Sequence, residues 1–217
     1  MGIWFFCFGL AGVAAGGTWP EFFFVLSPSW DDARWRDELV RTGGSVETLR
    51  AGEDQALSRM LLDSRWLETL NHFGQAPRLA DGRFDPAPFG EALHLRRHDF
   101  EAWATLPAGG AGTRYVLLRL AVPVDVGSDA CGWSSRRLRR LKESLSALSP
   151  CDLRAIEKDG YGNAFAWEGR HPNGWRVWAW YRPEEDELRL LLAAGATSAA
   201  SAGGATAPPA TAPAPRS

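Results

Sequence analysis

The residue types best suited to chemistry are gathered between Glu168 and Arg176. Glu168, Arg170, His171 and Arg176 match in type the groups of metal-independent ribonucleases, where one side chain takes a 2′-hydroxyl proton, another protonates the leaving oxygen, and guanidinium groups hold the phosphate. Such a set has to converge on one bond. Asn173-Gly174 reads as a two-residue type I′ hairpin turn. It predicts a register in which His171 faces Arg176, Gly169 faces Trp178, Trp167 faces Trp180 and Phe165 faces Arg182. Side chains alternate along a strand, so Glu168 and Arg170 project from one side and His171 and Arg176 from the other. The set diverges, and no catalytic residue is expected. Glu168 and Arg170 read instead as an ion pair near the end of the sheet.

Other candidate chemistry is thinner. His94 and His98 are four apart, a spacing that suits metal binding on a helix, but the segment reads as a strand and turn. Gly109-Gly110-Ala111-Gly112 lacks the Lys-Ser or Lys-Thr of a phosphate loop. Gly43-Gly44-Ser45 follows a helix and is no nucleophile elbow. No metal site and no cofactor is expected.

The register that separates the catalytic types creates a different feature. Phe165, Trp167, Trp178 and Trp180 fall on one sheet face, with His171, Arg176, Arg182 and Arg189 around them. Indole rings can stack on bases and arginines can hold phosphates, so an open face of this kind would seat single-stranded RNA. A covered face would be a second core layer, with the N-terminal aromatics Trp4, Phe5, Phe6 and Phe22, Phe23, Phe24 as its expected cover. If residues 183–186 form a four-residue loop, Leu188, Leu190 and Leu192 join Val177, Ala179 and Tyr181 on the opposite, aliphatic face. A second candidate surface is a run of basic residues, Arg136, Arg137, Arg139, Arg140 and Lys142, outside a helix whose inner face carries Leu138, Leu141, Leu145 and Leu148.

The elements that position these residues follow from periodicity and stop signals. A helix over 30–43 capped by Ser29, and a longer one over 54–73 ended by Gly74, precede a loop over 77–90. A strand over 92–97 and one helical turn from Asp99 through Trp103 come next. Residues 114–194 read as a β-α-α-β-β-β unit. It has a strand over 115–124, a helix over 135–149, and a second helix over 149–160 started by Ser149-Pro150. Strands over 163–171, 175–182 and 187–194 complete it. The fold class is therefore α+β: mixed N-terminal strands and helices, then a four-stranded antiparallel sheet with two helices on its aliphatic face. The expected divisions are 1–26, 27–113, 114–194, and an uncharged Ala/Pro-rich tail over 195–217 broken only by Arg216.

Gly174, Trp175, Arg176, Val177, Trp178, Ala179, Trp180, Tyr181 and Arg182, followed by the apolar strand over 188–194, resemble the glycine-aromatic-arginine strand and last strand of the RelE/ParE family of small bacterial toxins. The resemblance covers about 80 of the 217 residues. It implies an RNA-directed sheet face in which Arg176 matches the family arginine. The family's C-terminal catalytic segment is replaced here by Gly195-Ala196-Thr197-Ser198, and the first 110 residues or so are foreign to it.

A net charge of −2 excludes a surface basic all over, and no DNA-specific motif is present. Residues 2–20 carry no charge, which fits two strands over 3–8 and 21–26, a signal peptide over 1–17, or a membrane anchor. Cys131 and Cys151 flank the helix over 135–148, which spans about 20 Å and would hold them too far apart to bond. Three unpaired cysteines point to a reducing compartment, the cytoplasm, with secretion as the alternative if 1–17 is a signal peptide. The sequence thus reads as a non-catalytic protein that binds a macromolecular partner, a protein first and RNA as the alternative, through the basic helix face and the aromatic-basic sheet face.

Overall fold

The computed structural model describes residues 18–50, 64–85, 89–106, 112–121 and 135–194. The expectations for residues 3–8, for the start of the second helix at 54, for Cys7 and Cys131, for Gly109-Gly110-Ala111 and for the tail lie outside these residues. Eight strands form one antiparallel sheet: β1 (Ser45–Arg50), β2 (Glu91–Arg96), β3 (Glu101–Leu106), β4 (Arg114–Ala121), β5 (Arg154–Lys158), β6 (Ala164–Arg170), β7 (Arg176–Arg182) and β8 (Glu187–Ala194). Their spatial order is β1-β2-β3-β4-β8-β7-β6-β5. The class is α+β as expected, but the four C-terminal strands make half of a sheet rather than the whole of one, with β4 and β8 paired along eight residues at its centre.

Among the described residues four helices cover the sheet. The helices α1 (Trp19–Val25), α2 (Asp32–Arg41) and α4 (Ser135–Ala147) place Phe22, Phe23, Trp35, Leu39 and Leu141 in one core with Val177, Leu190 and Leu192. On the other face α3 (Ser64–His72) places Trp66 and Leu70 against Trp103, Leu117, Trp178 and Leu191. The aliphatic side formed by β7 and β8 is as expected. Arg182 pairs with Glu187 across a four-residue loop, which aligns Val177, Ala179 and Tyr181 with Leu192, Leu190 and Leu188.

Several local expectations are corrected. Residues 21–25 belong to a helix and not to a strand, with Leu26 as its C-cap, because Pro20 sits in its first turn and the Thr18 backbone N–H donates to the Glu21 carboxylate at 2.8 Å. The next helix starts at Asp32, with Asp31 rather than Ser29 accepting the Arg34 N–H at 2.8 Å. The turn expected at Asp99 gives way to β3, whose Ala102, Trp103 and Ala104 are covered on both sheet faces and so lack the alternation of a half-buried strand. The second C-terminal helix shrinks to one 3-10 turn, Ser149–Cys151, because Asp152 takes a left-handed conformation (φ 49°) and β5 follows. β1 was not expected at all.

The decisive correction lies in the β6–β7 hairpin. A two-residue turn at Asn173-Gly174 needs the N–H of residue 172 to bond across to residue 175, and Pro172 has none. The closing bond moves one residue back, from His171 N–H to the Trp175 carbonyl at 2.9 Å, and Gly174 (φ 93°) makes the loop three residues long. Arg170 now faces Arg176, Glu168 faces Trp178 and Ala166 faces Trp180. The slip of one residue turns every β6 side chain to the other face.

Candidate functional site

The aromatic-basic face is therefore smaller than expected. Trp178, Trp180, Arg176, Arg182 and Arg189 share it. Trp167 pairs with Ala179 and belongs to the opposite core, Phe165 lies on that same opposite side, and His171 is buried beneath α1. The face is also closed. Trp178 and Trp180 are 3% and 8% exposed. The cover is α3 and the residues after it, not the N-terminal phenylalanines. His72 stacks on Trp180 at 3.8 Å, and the Phe73 ring lies 6.0 Å from that of Trp178. Arg176 and Arg182 each sit 4.7 Å from an indole centroid, over Trp178 and Trp180 respectively.

Two arginines of this face, Arg182 and Arg189, are engaged by carboxylates. Arg189 is fully buried and donates to Glu68 at 2.8 Å, to Glu187 at 2.7 Å and to Glu185. Arg119 joins Glu187 at 2.7 Å to Glu101 at 2.8 Å, and Arg182 bonds Glu68. Burial pushes the Glu187 carboxyl up, but the bonds from Arg119 and Arg189 outweigh it, and the group titrates below the usual carboxylate range. Glu68 is lowered in the same way, against its own burial, by Arg189 and Arg182. Three arginines are thus matched by four glutamates, while Arg176 stands exposed over the Trp178 ring, outside this cluster. The cluster's evident work is to pin α3 to the sheet.

At the far end of the same cluster, His94 Nε2 meets Glu101 at 2.6 Å and its ring stacks on Trp103 at 4.7 Å. His98, expected to be its partner in any metal site, is almost wholly exposed. Among the described residues no group of three or more His, Cys, Asp or Glu side chains could hold a metal ion. Glu168 does not pair with Arg170. Its carboxylate accepts from Arg154 Nε at 2.8 Å, across β5.

His171 is structural. Its Nε2 donates to the Phe23 carbonyl at 3.1 Å while Nδ1 accepts the Asn173 N–H at 3.0 Å, and burial pushes its pKa down. Asn173 and Trp175 add bonds to the Leu26 carbonyl at 2.9 and 3.1 Å. The hairpin tip therefore clamps the end of α1.

The basic helix face stays open, as does Arg176 on the sheet. Leu141, Leu145 and Leu148 turn α4 and the residue after it toward the core. Arg139 and Arg140 point outward, their side chains 66% and 51% exposed, with Glu143 at 3.9 and 3.5 Å as their ion partner. Arg136 and Arg137 lie in the first turn of the same helix, and their side chains are outside the described residues.

One exposed residue was missed. Tyr161 is 92% exposed at the tip of the β5–β6 loop. Asp159 holds that loop by accepting the N–H groups of Tyr161 and Asn163 at 2.9 and 2.8 Å and the Asn163 side chain at 3.0 Å. The signal was present in the sequence: Asp159-Gly160-Tyr161-Gly162-Asn163 surrounds a lone aromatic with turn formers.

Among the described residues no helix is long and apolar enough to cross a membrane. No protein-family model, no curated protein and no solved structure matches the chain.

Proposed function

We propose that this chain is a non-catalytic binding protein whose partner is another protein, presenting an acidic surface to the outer face of α4. The observation that carries the reading is the contrast between two groups of arginines. Arg119, Arg182 and Arg189 are matched by carboxylates inside the fold, whereas Arg139 and Arg140 stand in solvent with one glutamate between them. Five basic residues against Glu143 in about two turns of helix make a local positive field on a chain whose total charge is −2. Such a field steers an acidic partner and sets its orientation. The RNA-directed alternative rested on an open tryptophan face, and the burial of Trp178 and Trp180 gives it no support there.

The test is affinity capture from the native source with the wild-type chain and with Arg139→Glu/Arg140→Glu, with and without nuclease. The reading expects a protein retained by the wild type, lost by the variant and indifferent to nuclease. Nuclease-sensitive nucleic acid as the material lost by the variant would overturn it in favour of RNA.

A further inference from the structure

The sheet ends in two outer strands, and they are built differently. β5 breaks register against β6 twice, between Ala155 and Glu157 and between Glu157 and Lys158, and presents Arg154 with its side chain 78% exposed. A bulge with flanking positive charge is how an edge strand is kept from pairing with another chain. β1 has no such break in register, although Glu47 and Arg50 are exposed on it. Its six residues pair with β2 in unbroken register from Ser45 against Arg96 to Arg50 against Glu91, and no described strand lies on its outer side. Ser45, Glu47, Thr48 and Arg50 are exposed. The strand has no proline, glycine or lysine. Among the described residues, one edge is interrupted by bulges and the other offers an unbroken ladder.

We propose that β1 pairs with β1 of a second copy of this chain, antiparallel about a two-fold axis at Thr48, so that two eight-stranded sheets become one. A two-fold normal to the sheet requires one residue to face its own copy, which leaves few registers. An axis at Glu47 sets two carboxylates directly opposite each other. An axis at Thr48 faces Thr48 with Thr48, Glu47 with Leu49 and Val46 with Arg50. No like charges are then directly opposed, and a threonine pair, favourable across strands, stands at the centre. The two Glu47 side chains become diagonal neighbours at about 7–8 Å, a repulsion that salt screens. In the antiparallel ladder the outward N–H and C=O groups of each β1 satisfy those of the other. A ladder of this length is a small interface, so the pairing is a reversible association of micromolar order.

The experiment is sedimentation of the full chain over a concentration series, with Thr48→Lys, Thr48→Cys and Glu47→Cys beside the wild type. Thr48 is exposed, so the lysine variant is expected to keep the wild-type circular dichroism and melting midpoint while shifting the dimer to monomer by at least tenfold in concentration. Mild oxidation should crosslink Thr48→Cys into a dimer well above the wild-type background, because the two Cβ atoms face each other across the axis, and should crosslink Glu47→Cys far less. A wild type that stays monomeric up to about 100 μM overturns the proposal. So does a dimer that survives Thr48→Lys, or a crosslink that forms better at position 47 than at 48.

Discussion

The imidazole of His171 donates to the backbone carbonyl of Phe23 at 3.1 Å, joining residues 148 apart in sequence. Its other nitrogen accepts the Asn173 N–H, so the ring is needed in its neutral form. A proton added at Nδ1 would face that N–H donor. Phe23 and Phe24 close the remaining sides, with ring centroids at 4.9 and 5.5 Å. Burial lowers the folded pKa below the ordinary histidine value of about 6.5, so between the two values the unfolded chain binds more protons. The stability from this clamp is complete above about pH 6.5 and falls as pH drops toward and through the folded pKa. Urea midpoints for wild type and His171→Gln should therefore converge on acidification from pH 7.5 to 5, the glutamine variant having less to lose at this site. His72 is shifted the same way by burial and stays in both proteins, so the difference isolates His171.

Trp178→Ala removes an indole packed against Phe73 and beneath Arg176. The expected cost is about 3–5 kcal/mol, a large share of the stability of a domain this size. Chemical denaturation gives the value directly. A midpoint equal to that of the wild type would mean that α3 does not cover this ring in solution.

Arg189→Gln leaves the buried Glu187 and the half-buried Glu68 and Glu185 without their shared, fully buried cation. Breaking a buried ion cluster from one side costs about 3–5 kcal/mol at neutral pH. In the wild type, Glu68 and Glu187 titrate below 4.5, so their contribution is present above that pH and lost as pH falls through the folded values. The deficit of the variant should accordingly shrink toward pH 3, where protonation relieves the repulsion. A deficit independent of pH would contradict the network.

Cys151 is fully buried, and desolvation raises its thiol pKa to about 11. Thiolate, not thiol, reacts with alkylating agents. Peptide mapping after alkylation at pH 8 should find Cys151 unlabelled in the folded protein and labelled once the chain is unfolded.

Elements whose sequence signal is local were readable before any coordinates. The strand over 187–194 is placed to the residue by its apolar run and by the loop before it, and the start of α4 by its leucine spacing, its end lying two residues short of the reading. What escaped notice depended on partners far away. Ala102, Trp103 and Ala104 look unpatterned because helices lie over both faces of β3, a fact of tertiary packing. Arg189 and Arg182 read as free phosphate-holding groups because Glu68, more than a hundred residues earlier, was not known to meet them. Pro172 was the avoidable loss. Its missing N–H forbade the two-residue turn, and with it the grouping of Trp167 and His171 with Trp178 and Trp180.

The pairing of β4 with β8 at the middle of the sheet has a last consequence. On either side of that seam lies one helix followed by four antiparallel strands, α2 with β1 to β4 and α4 with β5 to β8, the first interrupted by α3. Each half alone would expose an eight-residue ladder of buried Val116, Leu117, Leu118 and Leu120, or of Leu188, Leu190, Leu191 and Leu192. Neither half is therefore expected to be an independent folding unit, yet the seam is a noncovalent interface complete in itself. Cleaving the chain between residues 121 and 135 should yield two fragments that stay insoluble or unstructured apart and reconstitute one another when mixed, which makes the molecule a natural scaffold for fragment complementation.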